Sequence, residues 1–248
     1  MATTSVGFDN LNISEFKARG IFATNTPDVL TAATADLTLL LMLGASRRVR
    51  EHIQTTEKGW GKVLGQAQML GLDLAGKRLG ILGMGRIGQA VAKRAQAFGM
   101  QILYSNRRRL PANEENGAKY FESFTDMLPQ CQVLSLHAPG TAETEKIMGR
   151  KEFALLPKDA IFINVARGTL VDEDALFETL ISKHLFAAGL DVCWNEPNPD
   201  PRFLNFSNIL LTPHVGSATR ETRVGMGLRS LANIRQAVQG LNPSDSLV

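Results

Sequence analysis

Cysteine is scarce in this chain. Only Cys131 and Cys193 occur among 248 residues, far apart and in apolar or strand-like surroundings. No metal-ligand spacing is present, and the pattern suits a reducing compartment with buried thiols. A large excess of one charge is also missing. The formal net charge is +3, too small to argue for nucleic acid as a partner, and the basic residues are scattered apart from Arg47/Arg48/Arg50 and a run at 107–109. Long hydrophobic runs are missing too. The most apolar stretch, Ala32 to Ala45, contains Asp36 and is too short to span a bilayer. The opening MATTSVGFDNLN has neither the basic nor the apolar region of a signal peptide. These absences predict a cytoplasmic protein with no nucleic-acid or membrane partner. Internal repeats and low-complexity segments are absent as well.

What is present is an ordinary globular composition, 44% apolar and 21% charged, long enough for one large or two modest domains. Residues 1–26 read as irregular, with a polar segment (ISEFKARG) and a short apolar one (IFAT). Asn25-Thr26-Pro27 is a turn signal. A helical pattern then runs from Val29 to about Glu57, with Gly44 its only weak point. Its first half is apolar nearly all round, which predicts burial between two bodies and hence a homodimer. Gly59 to Gly76 reads as a loop. After Lys77, strands alternate with helices: LGIL, then RIGQAVAKRAQAFG, MQILYS, a helix near Phe121–Leu128, QVLSLH, a helix near Lys151–Leu156, AIFINVA, a helix over Asp172–Lys183, AAGLDVCW and ILLTPH. Such alternation predicts an α/β fold, a doubly wound parallel sheet covered on both faces.

Gly83-Met84-Gly85-Arg86-Ile87-Gly88 is a GxGxxG that closes a predicted strand and opens a predicted helix. The first glycine permits a tight turn, the second lets backbone approach a pyrophosphate, and the third lets helix and strand pack closely. The helix N-terminus adds free N–H groups and a positive partial charge. This predicts a Rossmann-type nucleotide-binding domain. NAD-binding proteins place Asp or Glu about 20 residues past the motif to bond the ribose 2′-OH. Here that position falls on Asn106, followed by Arg107 and Arg108. An amide and two guanidiniums suit a 2′-phosphate, so the expected cofactor is NADP(H) in preference to NAD(H). The plain alternative is a solvated basic loop.

Three further segments place polar residues just past predicted strands, at the sheet edge where ligands bind in open α/β folds. They are NVARG (164–168), GLDVCWNEP (189–197) and LTPHVG (211–216). Arg167 could grip a carboxylate, His214 could pass a proton to a carbonyl oxygen, and Glu196 could orient the imidazole. Taken singly, each has a bland reading as a salt-bridge partner, a loop charge or a capping histidine. His52 and His184 read as exposed helix residues, and Cys193 and Trp194 as packing beside the Glu196 loop, with an edge of the pocket as the alternative for Trp194.

Taken together, SVGFDN, NTPDVLTAATAD, LGILGMGRIG, NVARGTLVDEDAL, GLDVCWNEP and LTPHVGSAT resemble, in order and spacing, the motifs of the D-isomer-specific 2-hydroxyacid dehydrogenases. The resemblance covers essentially the whole chain. The Asn-Arg-Arg variant looks like the NADPH-preferring branch that reduces glyoxylate, hydroxypyruvate and 2-ketogluconate. The resemblance implies Arg167 as carboxylate binder, Glu196 as the histidine's partner and His214 as acid/base. It implies cofactor contacts from Gly83, Gly85, Arg86, Ile87, Gly88, the Val165-Ala166-Arg167 backbone, Asp191, His214 and Gly216, with His137, Pro139 and Thr141 in the bordering loop. The backbone of Val6 and Gly7 matches the segment that meets the substrate carboxylate.

Family members usually carry a first lobe before SVGFDN. The expected division is therefore 1–26 as remnant of a truncated substrate-binding lobe, 27–216 as dinucleotide-binding domain, and 217–248 as the segment returning to that lobe. Two function classes follow. One is an NADPH-dependent 2-ketoacid reductase. The other is a nucleotide-binding or interaction module with little catalysis, as in the family's corepressor relatives.

Overall fold

The computed structural model describes every residue except Asn10 and Lys62; Asn10, the last residue of the SVGFDN motif, lies outside the described residues. The chain divides into two compact units, one of residues 35–215 and one of 1–34 with 216–248.

The larger unit is built on seven strands: β1 (Arg78–Leu82), β2 (Gln101–Ser105), β3 (Lys119–Phe121), β4 (Val133–Leu136), β5 (Ala160–Asn164), β6 (Leu185–Leu190) and β7 (Ile209–Leu211). They pair in the order β3-β2-β1-β4-β5-β6-β7, and every pairing is parallel. Parallel strands need crossovers, and the α-helices between β1 and β6 supply them; the nine α-helices of the described residues are as follows. In chain order over both units they are α1 (Ile13–Ala18), α2 (Thr31–Ser46), α3 (Val49–Glu57), α4 (Arg86–Ala97), α5 (Ala112–Glu115), α6 (Phe124–Met127), α7 (Arg150–Leu155), α8 (Glu173–Ile181) and α9 (Arg220–Val238).

Period-two alternation divides the core into two layers. Leu103, Leu134, Leu136 and Phe162 pack with Met127 of α6, Phe153 of α7 and Leu176 and Leu180 of α8. Their strand neighbours Ile102, Val133, Ile161 and Ile163 pack with Leu41 and Met42 of α2 and Val91 and Ala95 of α4. Burial on both faces is why these strands read as continuous apolar runs. No helix among the described residues is long and apolar enough to cross a membrane.

Three readings of the sequence change here. The single helix expected over Val29–Glu57 is two, because Arg48 takes a left-handed conformation with φ 52°. Gly44, the expected weak point, stays helical, and a Cβ there would lie 2.5 Å from Leu210 Cδ2 of β7. The helix lies close against its own sheet at this point. The apolar circumference of α2 is thus largely covered within the unit, with Leu40 its exposed leucine at 55%. The region expected as one helix near Phe121–Leu128 is strand β3, α6 and a single 3-10 turn at Leu128–Gln130.

In the smaller unit, residues 1–26 are not wholly irregular. They carry α1, capped by Asn12 Oδ1 accepting from Glu15 N–H at 3.1 Å. Bridges Ala2–Thr24 and Thr24–Ser246 tie the two chain ends together. Arg229 of α9 holds Asp245 bidentately at 2.7 and 2.8 Å.

Candidate active site

The sheet order reverses between β1 and β4, since β2 and β3 extend one way and β5 to β7 the other. Loops leaving the carboxyl ends of these strands diverge there, which opens a crevice. Gly83, following β1, has φ +94°, and a Cβ would lie 2.6 Å from the His137–Ala138 backbone. Gly88 packs so tightly that a Cβ would lie 2.4 Å from Gly83 O. Gly85, the N-cap of α4, differs: nothing lies within 4 Å of its Cβ position. The turn is therefore closed underneath and open above, beside the N-terminus of a 12-residue helix. That shape, beside the positive end of a helix, fits a phosphate. Arg86 and Ile87 form the first residues of that helix.

At the end of β2, Asn106 Oδ1 accepts the Met84 N–H at 2.6 Å. This fixes the amide orientation and leaves Nδ2 as donor. The three arginines that follow are not equivalent. Arg109 is bound bidentately to Glu115 at 2.8 and 3.0 Å, and Glu115 also accepts from Tyr104 Oη at 2.6 Å. Those two donors, the Arg109 guanidinium first, hold the Glu115 carboxyl down at about 2. Arg107 and Arg108 are exposed and make no hydrogen bond or ion pair among the described residues. A half-buried amide and two exposed guanidiniums stand together where a carboxylate would discriminate against a phosphate.

His137 follows β4, with Nε2 2.9 Å from Ser135 Oγ, and burial pulls its imidazole down to about 3. The next turn is internally bonded. Thr144 Oγ1 donates to Pro139 O at 2.7 Å and accepts from the Thr141 N–H at 2.9 Å.

Arg167 follows β5. Asn164, 1% exposed, organises this turn by accepting from Ala166 N–H at 3.0 Å and donating to Arg167 O at 2.8 Å. The Arg167 guanidinium bonds the Ala166 carbonyl at 2.6 Å. Several backbone groups of the Val165–Arg167 segment are thereby satisfied internally. Gly168 brings the Arg167 turn flush against the loop after β6, since a Cβ there would lie 2.1 Å from the Cys193 carbonyl.

The loops after β6 and β7 join around two carboxylates. Asp191, 1% exposed, accepts from Thr212 Oγ1 at 2.6 Å and Val215 N–H at 2.8 Å, while its carbonyl accepts from His214 N–H at 2.9 Å. This closes the turn that holds His214 at φ 54°, a conformation that costs energy for a residue with a Cβ and clusters at functional sites. Glu196 Oε2 lies 2.5 Å from His214 Nδ1 and its Oε1 accepts from Cys193 N–H at 3.1 Å. A carboxylate only accepts, so Nδ1 carries the hydrogen and Nε2 is the atom left for chemistry. The His214 side chain is 50% exposed. Trp194 turns away, its indole N–H bonding Val171 O at 2.5 Å beneath the Lys146 ammonium. Burial first, and then the neighbouring Glu196, push the Cys193 thiol up to about 11.

The structure thus gathers Arg167, Asp191, Glu196 and His214 on adjoining loops of one sheet edge. Val6, Gly7 and Gly216 belong to the smaller unit. There Asn25 Nδ2 donates to Val6 O at 2.9 Å, Ser5 Oγ to Gly7 O at 2.6 Å and Thr34 Oγ1 to Gly216 O at 3.3 Å. Asn164, Thr212 and Glu173 were missed as site-building residues. Asn164 and Thr212 lie inside motifs read only for their neighbours, and Glu173, which accepts the Trp194 N–H at 2.9 Å, gives no local signal of that distant contact. Among the described residues no group of His, Cys, Asp and Glu is placed to hold a metal ion.

Residues 39–216 match the family described as D-isomer specific 2-hydroxyacid dehydrogenase, NAD binding domain. The glyoxylate reductase of Thermococcus litoralis is 43% identical, over 98% of this chain and 75% of its own length. That of Aeropyrum pernix is 44% identical, over 98% and 74%. Among solved structures, a D-isomer specific 2-hydroxyacid dehydrogenase from Polaromonas superposes with TM-score 0.94 and 44% identity, covering 100% of this chain and 77% of that one. An NADPH-dependent glyoxylate/hydroxypyruvate reductase from Sinorhizobium meliloti, in complex with NADP and malonate, gives TM-score 0.91 and 35% identity, covering 100% and 76%. The chain therefore spans about three quarters of these relatives' length. With the parallel sheet, the glycine turn and these matches together, the chain belongs to the D-isomer specific 2-hydroxyacid dehydrogenase family and is an oxidoreductase with that family's NAD-binding domain.

Proposed function

We propose that this protein reduces small 2-ketoacids of the glyoxylate, hydroxypyruvate and 2-ketogluconate class to D-2-hydroxyacids, with NADPH preferred over NADH. The observation that carries the reading is the Glu196–His214 pair at 2.5 Å on loops that adjoin the Arg167 turn. NADPH, when bound, supplies the hydride that the keto carbon accepts. Arg167 offers a cation for the substrate carboxylate. Protonated His214, oriented through Nδ1 by Glu196, delivers the Nε2 proton to the carbonyl oxygen as negative charge develops on it, and is left neutral. Asp191 holds the turn that presents the imidazole. Gly83, Gly85 and Gly88 shape the phosphate turn, and Asn106, Arg107 and Arg108 receive the 2′-phosphate.

Each charge-assisted contact contributes roughly 1.5–3 kcal/mol, so a preference for NADPH on the order of tenfold or more is expected. In this reading residues 27–216 form the dinucleotide-binding domain, and 1–26 with 217–248 belong to a substrate-binding lobe. The protein is taken as a cytoplasmic homodimer, the exposed Leu40 of α2 supplying part of the contact; a stable 27.0 kDa particle in light scattering would contradict the dimer. Fluorescence titration of both cofactors, followed by NADPH absorbance with each ketoacid, tests the function. Equal affinities for NADPH and NADH would remove the 2′-phosphate assignment. Binding without turnover of any ketoacid would leave a nucleotide-binding module instead.

A further inference from the structure

We propose that Glu173, in the first turn of α8, is a positioning residue that sets both arms of the proposed active site. This inference rests on the reductase reading for its consequence in turnover. Asp172 caps α8 by accepting from Ala175 N–H at 3.2 Å, which places Glu173 at the first helical position. From there its Oε1 accepts the Trp194 N–H at 2.9 Å. The preceding amide, Cys193 N–H, donates to Glu196 Oε1 at 3.1 Å. Two successive amides of one turn are therefore taken by two carboxylates, one rooted in α8 and the other carried by the loop itself. The indole of Trp194 is fixed to the same segment through Val171 O. Asp174, the next residue of α8, bonds Arg202 at 2.8 Å, so the helix start grips the Glu196 loop on either side of that residue.

The chain of consequence is short. Glu196 divides its oxygens, Oε1 to Cys193 N–H and Oε2 to His214 Nδ1. If the Trp194 amide loses its acceptor, the turn is free to rotate and Cys193 N–H leaves Glu196. Glu196 then no longer fixes the imidazole tautomer. The same turn supports Arg167, because Gly168 lies flush on the Cys193 carbonyl. Loss of Glu173 should disturb proton delivery and carboxylate binding together, while the phosphate turn after β1 is untouched.

The test compares Glu173→Ala, Glu173→Gln and Glu173→Asp with wild type. Five quantities are measured: melting temperature, NADPH affinity, kcat and KM for glyoxylate, and the ring-nitrogen shifts of His214 by long-range 1H–15N correlation. The expected result for Glu173→Ala is a kcat lower by about tenfold to a hundredfold, as for misplacement of catalytic groups by roughly 1 Å. NADPH affinity should stay within about twofold, and the His214 shifts should move from a single Nδ1–H tautomer to a mixture. Glu173→Gln keeps the acceptor and should restore kcat to within about threefold. Glu173→Asp keeps the charge but not the reach, and should lose turnover; it decides the matter should the alanine variant not fold. Unaltered His214 nitrogens and kcat in Glu173→Ala, full activity in Glu173→Asp, or equal losses in the glutamine and alanine variants would each overturn the proposal. If wild type reduces no ketoacid, the reductase reading fails, and the nitrogen shifts still judge the positioning role.

Discussion

Replacing Gly85 with alanine separates what the glycine turn does for the fold from what it does for a ligand. Gly85 sits at φ −80° and ψ −159°, which alanine adopts without strain, and no atom lies within 4 Å of the added methyl. The fold should therefore tolerate the change or gain about 0.4–1 kcal/mol from a less flexible unfolded chain. The methyl instead occupies space beside the amides at the start of α4. A pyrophosphate pushed away there loses charge-assisted bonds of roughly 1.5–3 kcal/mol each. Loss of one such bond raises the NADPH Kd about tenfold to a hundredfold. Gly88→Ala is the contrasting case. Its methyl would lie 2.4 Å from Gly83 O, a backbone atom that cannot swing aside, and overpacking of that kind costs about 1–3 kcal/mol. Its melting temperature should fall by several degrees, since 1 kcal/mol corresponds to roughly 2–4 °C at this size. Calorimetry of the free proteins and fluorescence titration with NADPH read the two effects separately. Wild-type NADPH affinity in Gly85→Ala would refute the phosphate cradle, and wild-type stability in Gly88→Ala would refute the packing argument.

Two predictions concern stability. Arg50 donates to the carbonyls of Phe203, Phe206, Ile209 and Leu204 at 3.4, 2.8, 2.8 and 3.2 Å, so Arg50→Ala should cost about 2–4 kcal/mol in urea unfolding. Arg50→Lys should recover less than half, since an ammonium cannot span the fork; full recovery would contradict this. His137 is the second case. Burial lowers its imidazole from 6.5 to about 3, so the folded state favours the neutral ring. Its contribution is complete above about pH 6.5 and declines towards pH 3 as the unfolded chain takes a proton that the folded chain refuses. The slope is at most about 1.4 kcal/mol per pH unit. His137→Asn should flatten stability over that window, and an unchanged acid limb in urea titrations would count against it.

The parallel sheet was legible because strands buried on both faces appear as short apolar runs between helical patterns. Strand β3 escaped because KYF is three residues long and lies at the sheet edge, exposed or half-buried. The break at Arg48 was invisible because no glycine or proline marks it, whereas Gly44 looked like a break and is a close packing point against Leu210. The 19-residue α9 gave no clear pattern, since Val224, Leu228 and Leu231 are exposed at 58%, 63% and 62% and Gly225 and Gly227 interrupt it. At the site, strand ends and motif spacing pointed to Arg167, Glu196 and His214. That Arg109 is engaged by Glu115 while its two neighbours are not depends on a fold-back of the chain over Ala112–Glu115. Arg50 likewise reads as a surface charge beside Arg47 and Arg48 until its carbonyl partners are seen. Contacts made across the fold leave no periodic trace in the chain.

If His214 supplies the proton in an NADPH-dependent reduction, kcat must differ sharply between wild type and His214→Ala at saturating NADPH. General acid catalysis by a positioned side chain contributes roughly 10²–10⁴-fold. Wild type should turn over at least one of glyoxylate, hydroxypyruvate and 2-ketogluconate, and the variant should lose turnover by that factor with NADPH affinity nearly unchanged. A His214→Ala protein that retains wild-type kcat would contradict that role.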